Sequence, residues 1–321
     1  MTTPLYPFTF EPIFKERIWG GTKLRDLLHK NSSSDHTGES WELSSVPDEV
    51  SVVANGIFKG KSLNELIEQF SEELLGKSVL NRFGKQFPLL FKYLDAREDL
   101  SIQVHPNDEL AAKRHNSSGK TEMWYVMQAD EGARIIVGFK EDSSQNEYLQ
   151  HIQNKKLLTI LNEVPVKKGD VFFIETGTIH AIGSGILLAE IQQTSDITYR
   201  VDDFNRVDAQ GNTRELHIDL SLDAINYQSN ASKVNYQSED NTSTTVVDCP
   251  FFKTNIIPLK GVLSMEKTTD SFVVFMCTEG SFDLHIHSDI YHYQTGDTIL
   301  VPAMLTTFSI SGLATILEVT V

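Results

Sequence analysis

Four side chains that can bind a metal ion lie in the middle of the chain. Gln103 and His105 are two residues apart, Glu122 follows them, and His180 is set apart. Residues i and i+2 of a β-strand point to the same face, so we expect Gln103 and His105 to share one face. If the segments that carry these residues are strands of one barrel, the four side chains converge on a single metal ion.

The donor set would consist of two imidazoles, one carboxylate and one amide oxygen. Such a set suits zinc, although iron, manganese or cobalt could also occupy it. No cysteine takes part, which excludes a structural site built from thiolates. An isolated His or Glu in a strand is more often a solvated or hydrogen-bonded residue than a ligand, so it is the combination of residues that favours a metal site.

The composition limits the possible partners. The 321 residues include 28 Lys and Arg against 44 Asp and Glu, a formal net charge of −16. This charge opposes general binding to nucleic acid or to an anionic membrane, and we predict neither partner. A phosphorylated substrate would therefore need a local basic pocket. The sequence does not indicate the oligomeric state.

The cysteines and the N-terminus indicate the compartment. Cys249 and Cys277 are too few for a disulfide framework in a chain of this length. The first ten residues lack the basic flank and apolar run of a signal peptide. We therefore expect a cytoplasmic protein.

Short apolar runs bounded by Gly, Asp and Pro predict a mainly β protein. Many short strands of this kind are typical of a sandwich or barrel. The clearest predicted strands span residues 89–94, 122–127, 134–139, 171–174 and 186–191.

Helical segments and a linker interrupt the strands. Ser62 and Glu65 form a capping box that begins one helix, and a second helical region is predicted over 144–162 as an insertion. Residues 227–245 are rich in Ser, Asn, Gln and Thr, as exposed linkers are. We therefore predict a metal-binding domain over 1–235 with helical insertions, and a smaller domain over 246–321 without a metal site.

The two halves also resemble each other. Gly169-Asp170 before an apolar run parallels Gly296-Asp297, and Glu131-Gly132 parallels Glu279-Gly280. We expect Glu-Gly to close a hairpin and Gly-Asp to open the next strand, because Gly supplies backbone angles that other residues avoid.

The second copy lacks the metal-binding residues of the first. Thr307 falls at the position of His180, and no Gln-x-His precedes the first strand of the copy. The C-terminal half is therefore predicted to have lost the metal. We interpret His285, His287 and His292 as surface or hydrogen-bonded histidines, because no carboxylate lies at a matching spacing.

Six strings of residues resemble one family. In their order and rough spacing, from residue 17 to about 206, they are similar to the zinc-dependent type I mannose-6-phosphate isomerases of the cupin superfamily, in the compact bacterial form. The strings are Arg17-Ile-Trp-Gly-Gly21, Gly38-Glu-Ser-Trp-Glu42, Ser101-Ile-Gln-Val-His-Pro106, Lys120-Thr-Glu122, His180-Ala181 and Tyr199-Arg-Val-Asp202.

The resemblance implies a fold, a cofactor and roles for particular residues. It implies two cupin domains, each a jelly-roll barrel, and one Zn²⁺ per chain. The family's zinc-ligand positions fall on Gln103, His105, Glu122 and His180. Its active-site arginine falls on Arg200, its substrate-pocket positions on Lys120 and Glu190, and its phosphate-contacting serine on Ser101.

The implied reaction interconverts D-mannose 6-phosphate and D-fructose 6-phosphate through a cis-enediol or enediolate. A carbon-bound proton beside the carbonyl must be removed, and zinc can polarise that carbonyl. Arg200 would add a fixed cation at the developing charge. Glu190 is the first candidate for the base, because burial can raise the pKa of a carboxylate, and Lys120 could orient a hydroxyl or act as an acid.

Other interpretations stay open for the sequence alone. Glu190 could form an ion pair with Arg200 instead, and Arg200 could belong to a surface network with Asp202, Asp203 and Arg206. A non-haem iron oxygenase would use two histidines and one carboxylate on the same barrel class. A non-catalytic sugar-binding cupin is the third possibility, although such a protein would not need a complete metal-binding set.

Overall fold

The computed structural model describes residues 5–207 and 211–321 of the chain. Strands dominate it, which confirms the predicted mainly β class. Each of the five predicted strands is present and begins at the predicted residue. The apolar runs and the flanking turn residues were therefore sufficient to locate them.

The strands are numbered in chain order. The first fourteen are β1 (Ile13–Gly21), β2 (Thr37–Leu43), β3 (Ser45–Val46), β4 (Glu49–Val50), β5 (Leu89–Ala96), β6 (Ile102–Val104), β7 (Glu122–Ala129), β8 (Arg134–Phe139), β9 (Leu161–Pro165), β10 (Val171–Ile174), β11 (His180–Ile182), β12 (Ile186–Gln193), β13 (Tyr199–Asp202) and β14 (Lys233–Val234). The remaining strands are β15 (Thr244–Asp248), β16 (Lys253–Glu266), β17 (Val273–Ile286), β18 (Asp289–Gln294), β19 (Thr298–Val301) and β20 (Thr307–Thr320).

The helices are short and lie mostly before residue 154. They are α1 (Lys23–Asp26), α2 (Leu63–Leu75), α3 (Lys77–Phe83), α4 (Asp108–His115), α5 (Gln145–Gln153) and α6 (Ile218–Leu222), with 3-10 turns at Gly56–Phe58 and Leu157–Thr159. Over the residues that the structure describes, no helix has the length and apolar character needed to cross a membrane.

Two large sheets build the N-terminal part, which also contains the two-stranded sheet of β3 and β4. A seven-stranded sheet has the order β1-β2-β5-β12-β7-β10-β14, and a five-stranded sheet has the order β13-β6-β11-β8-β9. A core cluster joins their facing sides: Leu94, Trp124 and Phe172 of the larger sheet pack with residues such as Ile135, Val137 and Ile182 of the smaller one. The functional side chains lie at one edge of this interface.

The seven-stranded sheet is buried on both faces. Along β5, Phe91 and Tyr93 belong to the core cluster on the far face, whereas Leu94 and Ala96 face the five-stranded sheet. Because side chains alternate along a strand, Lys92 points to the same side as Leu94. The position of Lys92 in β5 thus places its side chain between the two sheets, inside the protein.

The C-terminal part forms a third large sheet with the order β15-β16-β20-β17-β18, and β19 also pairs with β17. This sheet has its own core cluster, to which β16, β17, β19 and β20 contribute. A second cluster continues from the N-terminal sheet into the C-terminal part, where Phe87 stacks on Phe272 with ring centroids 4.8 Å apart. The predicted linker is partly ordered into the first sheet, since Val234 of β14 pairs with Val171. The division of the chain into domains 1–235 and 246–321 stays a prediction.

Helix α2 begins as predicted. The Ser62 hydroxyl accepts a hydrogen bond from the Glu65 backbone N–H, and the Glu65 carboxylate accepts one from the Ser62 backbone N–H, which completes the capping box. Its last carbonyls accept hydrogen bonds from the C-terminal part, including Leu75 O from the Phe272 N–H and Leu74 O from the Ala303 N–H. The helix end is thereby capped by the other half of the molecule.

The second predicted helix is too long. It begins with Ser144 as N-cap, as predicted, but α5 ends at Gln153, and β9 occupies the last part of the predicted 144–162 segment. Lys155 has a positive φ of 55°, which a continuing right-handed helix does not allow. Leu161 and Pro165 then lie in the edge strand β9, where proline is tolerated.

The internal repeat is confirmed at one of its two turns. Gly169 and Gly296 have φ of 88° and 94°, and each precedes an Asp and a short strand, β10 or β19. The expected Glu-Gly hairpin is wrong. Glu131-Gly132 connects β7 and β8, which lie in different sheets, and Glu279-Gly280 lies inside β17, next to a bulge.

Replacement of Gly76 tests the contact between the two halves. Gly76 has a φ of 93°, and a Cβ there would lie 2.4 Å from the Asp270 carbonyl oxygen. Gly60 has a φ of 91° with nothing within 4 Å of a Cβ. We expect Gly60→Ala to lower the free energy of unfolding by about 1 kcal/mol through backbone strain, and Gly76→Ala to lower it by about 2 kcal/mol more through the clash.

Urea unfolding of both variants and the parent measures this difference. Equal losses for the two variants would show that α2 and the C-terminal part are not in fixed contact.

Candidate active site

Two rows of side chains face each other between the sheets. In the seven-stranded sheet, Trp41 of β2 pairs with Lys92 of β5, Lys92 with Glu190 of β12, and Glu190 with Trp124 of β7. In antiparallel sheets, paired residues point to the same face, so these four side chains stand next to one another. They form a row in which two buried charges stand between two aromatic rings.

The second row belongs to the five-stranded sheet. Gln103 of β6 pairs with Arg200 of β13 on one side and with His180 of β11 on the other. The pairing register thus brings together three residues that are far apart in the sequence. His105 lies just after β6 and Glu122 opens β7, so the candidate ligands come from both sheets.

The predicted ligand residues meet in the structure. Each of His105, Glu122 and His180 offers a ligand atom within 4.8 Å of the others, and all three side chains are buried. The Nε2 atoms of His105 and His180 lie 3.6 and 3.5 Å from the Glu122 carboxylate oxygens. The Gln103 amide is 3.3 Å from His180 Nε2 and can turn either its nitrogen or its oxygen towards the cluster.

Both imidazoles are oriented by a hydrogen bond on the side away from the cluster. The Nδ1 of His105 lies 2.9 Å from the Ile197 carbonyl oxygen, and the Nδ1 of His180 lies 2.8 Å from the Thr178 carbonyl oxygen. Since a carbonyl can only accept, each Nδ1 carries the proton and each Nε2 presents a lone pair to the cluster. Burial lowers the pKa of His105 well below its usual range and that of His180 to about 4, so both rings are neutral, as metal binding requires.

The Glu122 carboxylate is buried beside one cation, the Lys120 ammonium. Both of its oxygens are buried and accept no well-formed hydrogen bond from the described residues. The Lys120 ammonium lies 2.6 Å from one oxygen and 2.9 Å from His105 Nε2. Burial, partly offset by the charge of Lys120, raises the pKa of Glu122 to about 7. An anionic oxygen pair beside two imidazole lone pairs fits a divalent metal ion.

Glu190 is held as an ion by two neighbours. Its carboxylate accepts hydrogen bonds from the Lys92 ammonium at 3.0 Å and from the Trp124 indole N–H at 2.9 Å. Burial raises the pKa of Glu190, but the charges of Lys92 and Lys120 outweigh it and bring the pKa to about 2. The expectation of a raised pKa is therefore wrong, and so is the alternative of an ion pair with Arg200, because Lys92 takes that place.

Arg200 does not form the ion pairs of the alternative interpretation, a surface network with Asp202, Asp203 and Arg206. Asp203 binds Arg206 and Arg214 instead, and no carboxylate of the described residues forms an ion pair with Arg200. The Arg200 guanidinium donates to the Ser101 hydroxyl at 3.3 Å and to the Glu215 carbonyl at 2.9 Å. Burial, and after it the charge of Arg214, lowers the pKa of Arg200.

A cavity of about 440 Å³ lies between the two rows. It is lined by the four predicted substrate-binding residues, Ser101, Lys120, Glu190 and Arg200, and by the predicted ligand Gln103. An opening of this size, bounded by several ionised groups beside a potential metal centre, can bind a small polar substrate.

Six charged residues of the cavity had no role predicted from the sequence, and two of them, Glu16 and Asp196, are exposed to solvent. Arg17 and Glu39 lie within the quoted strings and form an ion pair at 2.6 Å. Lys92 could have been found, because it is the lone charge in the apolar run 89–94 and a buried lysine is rare without a partner. Arg214 gave no signal, since it lies outside any strand or motif.

Two of the three C-terminal histidines are engaged in local contacts. His285 shares a hydrogen bond with the Ser311 hydroxyl at 2.7 Å, and His292 pairs with Asp283 at 2.5 Å. Thr307 opens β20 much as His180 opens β11. Neither contact involves a second imidazole.

Comparisons with known proteins agree with the geometry. Residues 8–135 match the family model of the phosphomannose isomerase type I catalytic domain, and residues 242–321 match that of the mannose-6-phosphate isomerase cupin domain. A mannose-6-phosphate isomerase of Bacillus subtilis is 40% identical over 98% of both chains, and one of Streptococcus mutans is 39% identical over 94% of this chain and 96% of its own. A crystal structure of a mannose 6-phosphate isomerase from Bacillus subtilis superimposes with a TM-score of 0.90 at 35% identity, covering 99% of this chain and all of the other.

Removal of the Lys92 charge should raise the pKa of Glu190. In Lys92→Met the burial of the carboxyl group is no longer opposed by its nearest cation, so we expect the Glu190 pKa to rise from about 2. In the parent protein the folded-state pKa is below the ordinary 4.5, so ionised Glu190 stabilises the fold above pH 4.5 and loses this contribution as the pH falls towards 2.

Carboxyl ¹³C NMR titration of labelled glutamates measures the shift. Lys15→Met is the matched control, because the Lys15 ammonium also lies over the Trp41 ring but pairs with Glu49. A Glu190 titration that is the same in Lys92→Met as in the parent would contradict the assignment.

Proposed function

Because the chain belongs to the type I mannose-6-phosphate isomerases, a family of metal-dependent aldose-ketose isomerases, we propose that it interconverts D-mannose 6-phosphate and D-fructose 6-phosphate in the cavity described above. The observation that carries this proposal is the cluster of Gln103, His105, Glu122 and His180 next to a cavity lined by Lys120, Glu190 and Arg200. The family supports neither of the alternatives, an iron oxygenase or a non-catalytic sugar-binding cupin.

We assign one Zn²⁺ per chain to Gln103, His105, Glu122 and His180. Two neutral imidazoles, one carboxylate and one amide oxygen are donors that zinc accepts readily. When bound, the ion supplies a Lewis acid for the carbonyl of the substrate. Only Glu122 among the ligands carries a charge, which leaves the site net positive.

The isomerisation moves one proton from C2 of the aldose to C1. Glu190 accepts the C2 proton as the C2–H electrons form a C1–C2 double bond and the carbonyl π electrons move to O1, which gains a proton. O2 then loses its proton as the C2 carbonyl forms, and Glu190 returns its proton to C1 to give the ketose. Lys92 and Trp124 keep this carboxylate ionised and oriented, so it is available as an acceptor at neutral pH. With a pKa of about 2, Glu190 is a weak base in the free protein. The C2–H bond of the bound substrate must therefore become more acidic before the proton moves.

Two cations assist the transfer. Lys120 lines the cavity two residues before Glu122 and donates to the sugar oxygens, whose protons must be exchanged between O1 and O2. Arg200 has no carboxylate partner among the described residues and places a fixed positive charge where the enediolate develops. Ser101 holds the Arg200 side chain and contributes a hydroxyl to the substrate phosphate.

We further propose the domain division and the compartment. The catalytic domain comprises residues 1–235, and the smaller cupin domain comprises 246–321, supported by the separate sheet that β15 to β20 form. The unpaired thiols of Cys249 and Cys277 agree with a reducing cytoplasm.

Replacement of ligands and of Arg200 should separate metal binding from turnover. Arg200→Ala should lower kcat by about a hundredfold or more, because a charge stabiliser is lost, while the zinc content stays near one per chain. His105→Ala and His180→Ala should lower both kcat and the zinc content. Metal analysis coupled to an isomerase assay gives both values for each variant, and undiminished zinc in the histidine variants would refute the ligand assignment.

Proton transfer at C2 tests the role of Glu190. In deuterated water the wild-type enzyme should exchange the C2 hydrogen of mannose 6-phosphate during turnover, and Glu190→Gln should abolish both exchange and isomerisation, because an amide cannot accept the proton. Lys120→Met should slow isomerisation and retain exchange. If exchange instead persists in Glu190→Gln and is lost in Lys120→Met, Lys120 is the base.

A further inference from the structure

Gln192 is a buried amide whose two ends have different surroundings. It lies on β12, two residues after Glu190, and its backbone pairs with Glu122 of β7. Because side chains alternate along a strand, Gln192 points to the same side as Glu190, between the two sheets. Its side chain is fully buried. The Oε1 atom has no hydrogen-bond partner among the described residues, whereas the Nε2 atom has two.

The Nε2 atom of Gln192 holds a bend in the chain directly after β12. It donates to the Gln193 carbonyl oxygen at 2.9 Å and to the Ser195 carbonyl oxygen at 2.6 Å. The Ser195 backbone N–H also donates to the Gln193 carbonyl oxygen, at 2.8 Å. Both neighbours of Nε2 can only accept a hydrogen bond, so the nitrogen end of the amide must face the bend.

The bend leads to the residue that orients His105. Ile197 lies two residues after Ser195, and its backbone N–H donates to the Ser195 hydroxyl at 3.4 Å. The Ile197 carbonyl oxygen lies 2.9 Å from His105 Nδ1. Asp196 and Thr198, on either side of Ile197, line the cavity. The position of the bend therefore decides where the acceptor for His105 lies and where one wall of the cavity runs.

The unpaired Oε1 atom indicates that core stability does not explain an amide at this position. Burial of an oxygen without a hydrogen bond lowers the free energy of unfolding, and an apolar side chain of the same length would avoid that loss. Leu188, on the same face of β12, is such an apolar side chain. What the amide adds is a pair of donors for the bend.

The outer side of the bend is held separately. The Thr194 backbone N–H donates to the Pro88 carbonyl oxygen at 3.0 Å, and the Thr194 hydroxyl donates to the Phe87 carbonyl oxygen at 2.8 Å. These contacts attach the bend to the start of β5. The hydrogen bonds of Gln192 hold the bend from the side that lies between the sheets, where the candidate ligands meet.

We propose that Gln192 is a positioning residue for the metal site: its amide nitrogen fixes the bend of residues 193–197, and the Ile197 carbonyl then keeps the His105 ring in the orientation that presents Nε2 to the ion. This role rests on the proposed function and extends it to a residue outside the four ligands. Gln192 does not line the cavity, so it acts through the bend and not on the substrate.

His180 provides an internal reference. Its Nδ1 lies 2.8 Å from the Thr178 carbonyl oxygen, and the Thr178 backbone N–H donates to the Glu175 carbonyl oxygen, in a turn outside the bend. Loss of the Gln192 amide should therefore disturb the orientation of His105 and leave that of His180 unchanged.

Zinc affinity is the first test, with Gln192→Met compared with Asn255→Leu. Methionine keeps the length of the side chain and removes both donors. Asn255 of β16 is the matched control, because it is also an amide with a buried, unpaired oxygen but does not line the cavity. We expect Gln192→Met to weaken zinc binding by at least about tenfold, as the loss of a group that orients a metal ligand does, and Asn255→Leu by about twofold or less. Competition with a chelator measures both.

Exchange of the ring Nδ1 protons with solvent separates positioning from general loosening. In metal-free Gln192→Met labelled with ¹⁵N at histidine, the His105 Nδ1 proton should exchange at least about tenfold faster than in the wild-type protein, because its hydrogen bond to Ile197 is weakened. The His180 Nδ1 proton should keep its rate. Equal acceleration at both rings, no acceleration at His105, or an unchanged zinc affinity would overturn the proposal.

Gln192→Asn is the milder variant and decides the question if Gln192→Met does not fold. It keeps the amide on a side chain that is one methylene shorter, so we expect a smaller loss of zinc affinity and a smaller acceleration at His105. Wild-type values for both in Gln192→Asn would then overturn the proposal. Both measurements are made without substrate, so a wild-type protein that binds zinc and lacks isomerase activity would refute the proposed function separately.

Discussion

The site depends on the register of antiparallel pairing in two facing sheets. One register places Trp41, Lys92, Glu190 and Trp124 side by side. The other places Arg200, Gln103 and His180 side by side. Because side chains alternate with a period of two, a slip of one residue in either sheet would turn its row to the opposite face. The apolar residues between these positions fix the register, so the packing of the core also aligns the charged groups.

Burial makes these charges costly, and pairing offsets the cost. An unpaired ion inside a protein loses several kcal/mol of hydration, yet Lys92, Lys120, Glu122 and Glu190 are all almost completely buried. Lys92 is compensated by Glu190 and lies 3.8 Å from Glu39, whereas Lys120 lies against Glu122. The same burial keeps the two imidazoles neutral, whereas the neighbouring lysines keep Glu190 ionised against the effect of burial.

The sequence predicted the elements and the ligand cluster well. Gln103 and His105 were recognisable from a two-residue spacing, and each of the five predicted strands begins where its apolar run begins. The end of α5 was missed because Lys155 adopts a left-handed conformation that no local residue type requires. The Glu-Gly turn was misjudged because a connection between two sheets and a tight hairpin use the same residues.

The electrostatics of the site could not be read from the sequence. The pKa of Glu190 depends on Lys92, which is 98 residues away in the chain and becomes its neighbour only through strand pairing. Arg214 is likewise placed by Asp203 and not by any motif. Burial alone would have raised the Glu190 pKa, as expected at first, and the opposite shift shows that a close cation can outweigh burial.

The account requires that one metal ion in the four-residue cluster supports the isomerisation. The direct measurement is a zinc titration of protein stripped by a chelator, with the conversion of mannose 6-phosphate to fructose 6-phosphate followed at each step. We predict activity that rises in proportion to bound zinc and reaches its limit at one ion per chain. Full activity in the stripped protein, or a limit reached only with further ions, would contradict the account.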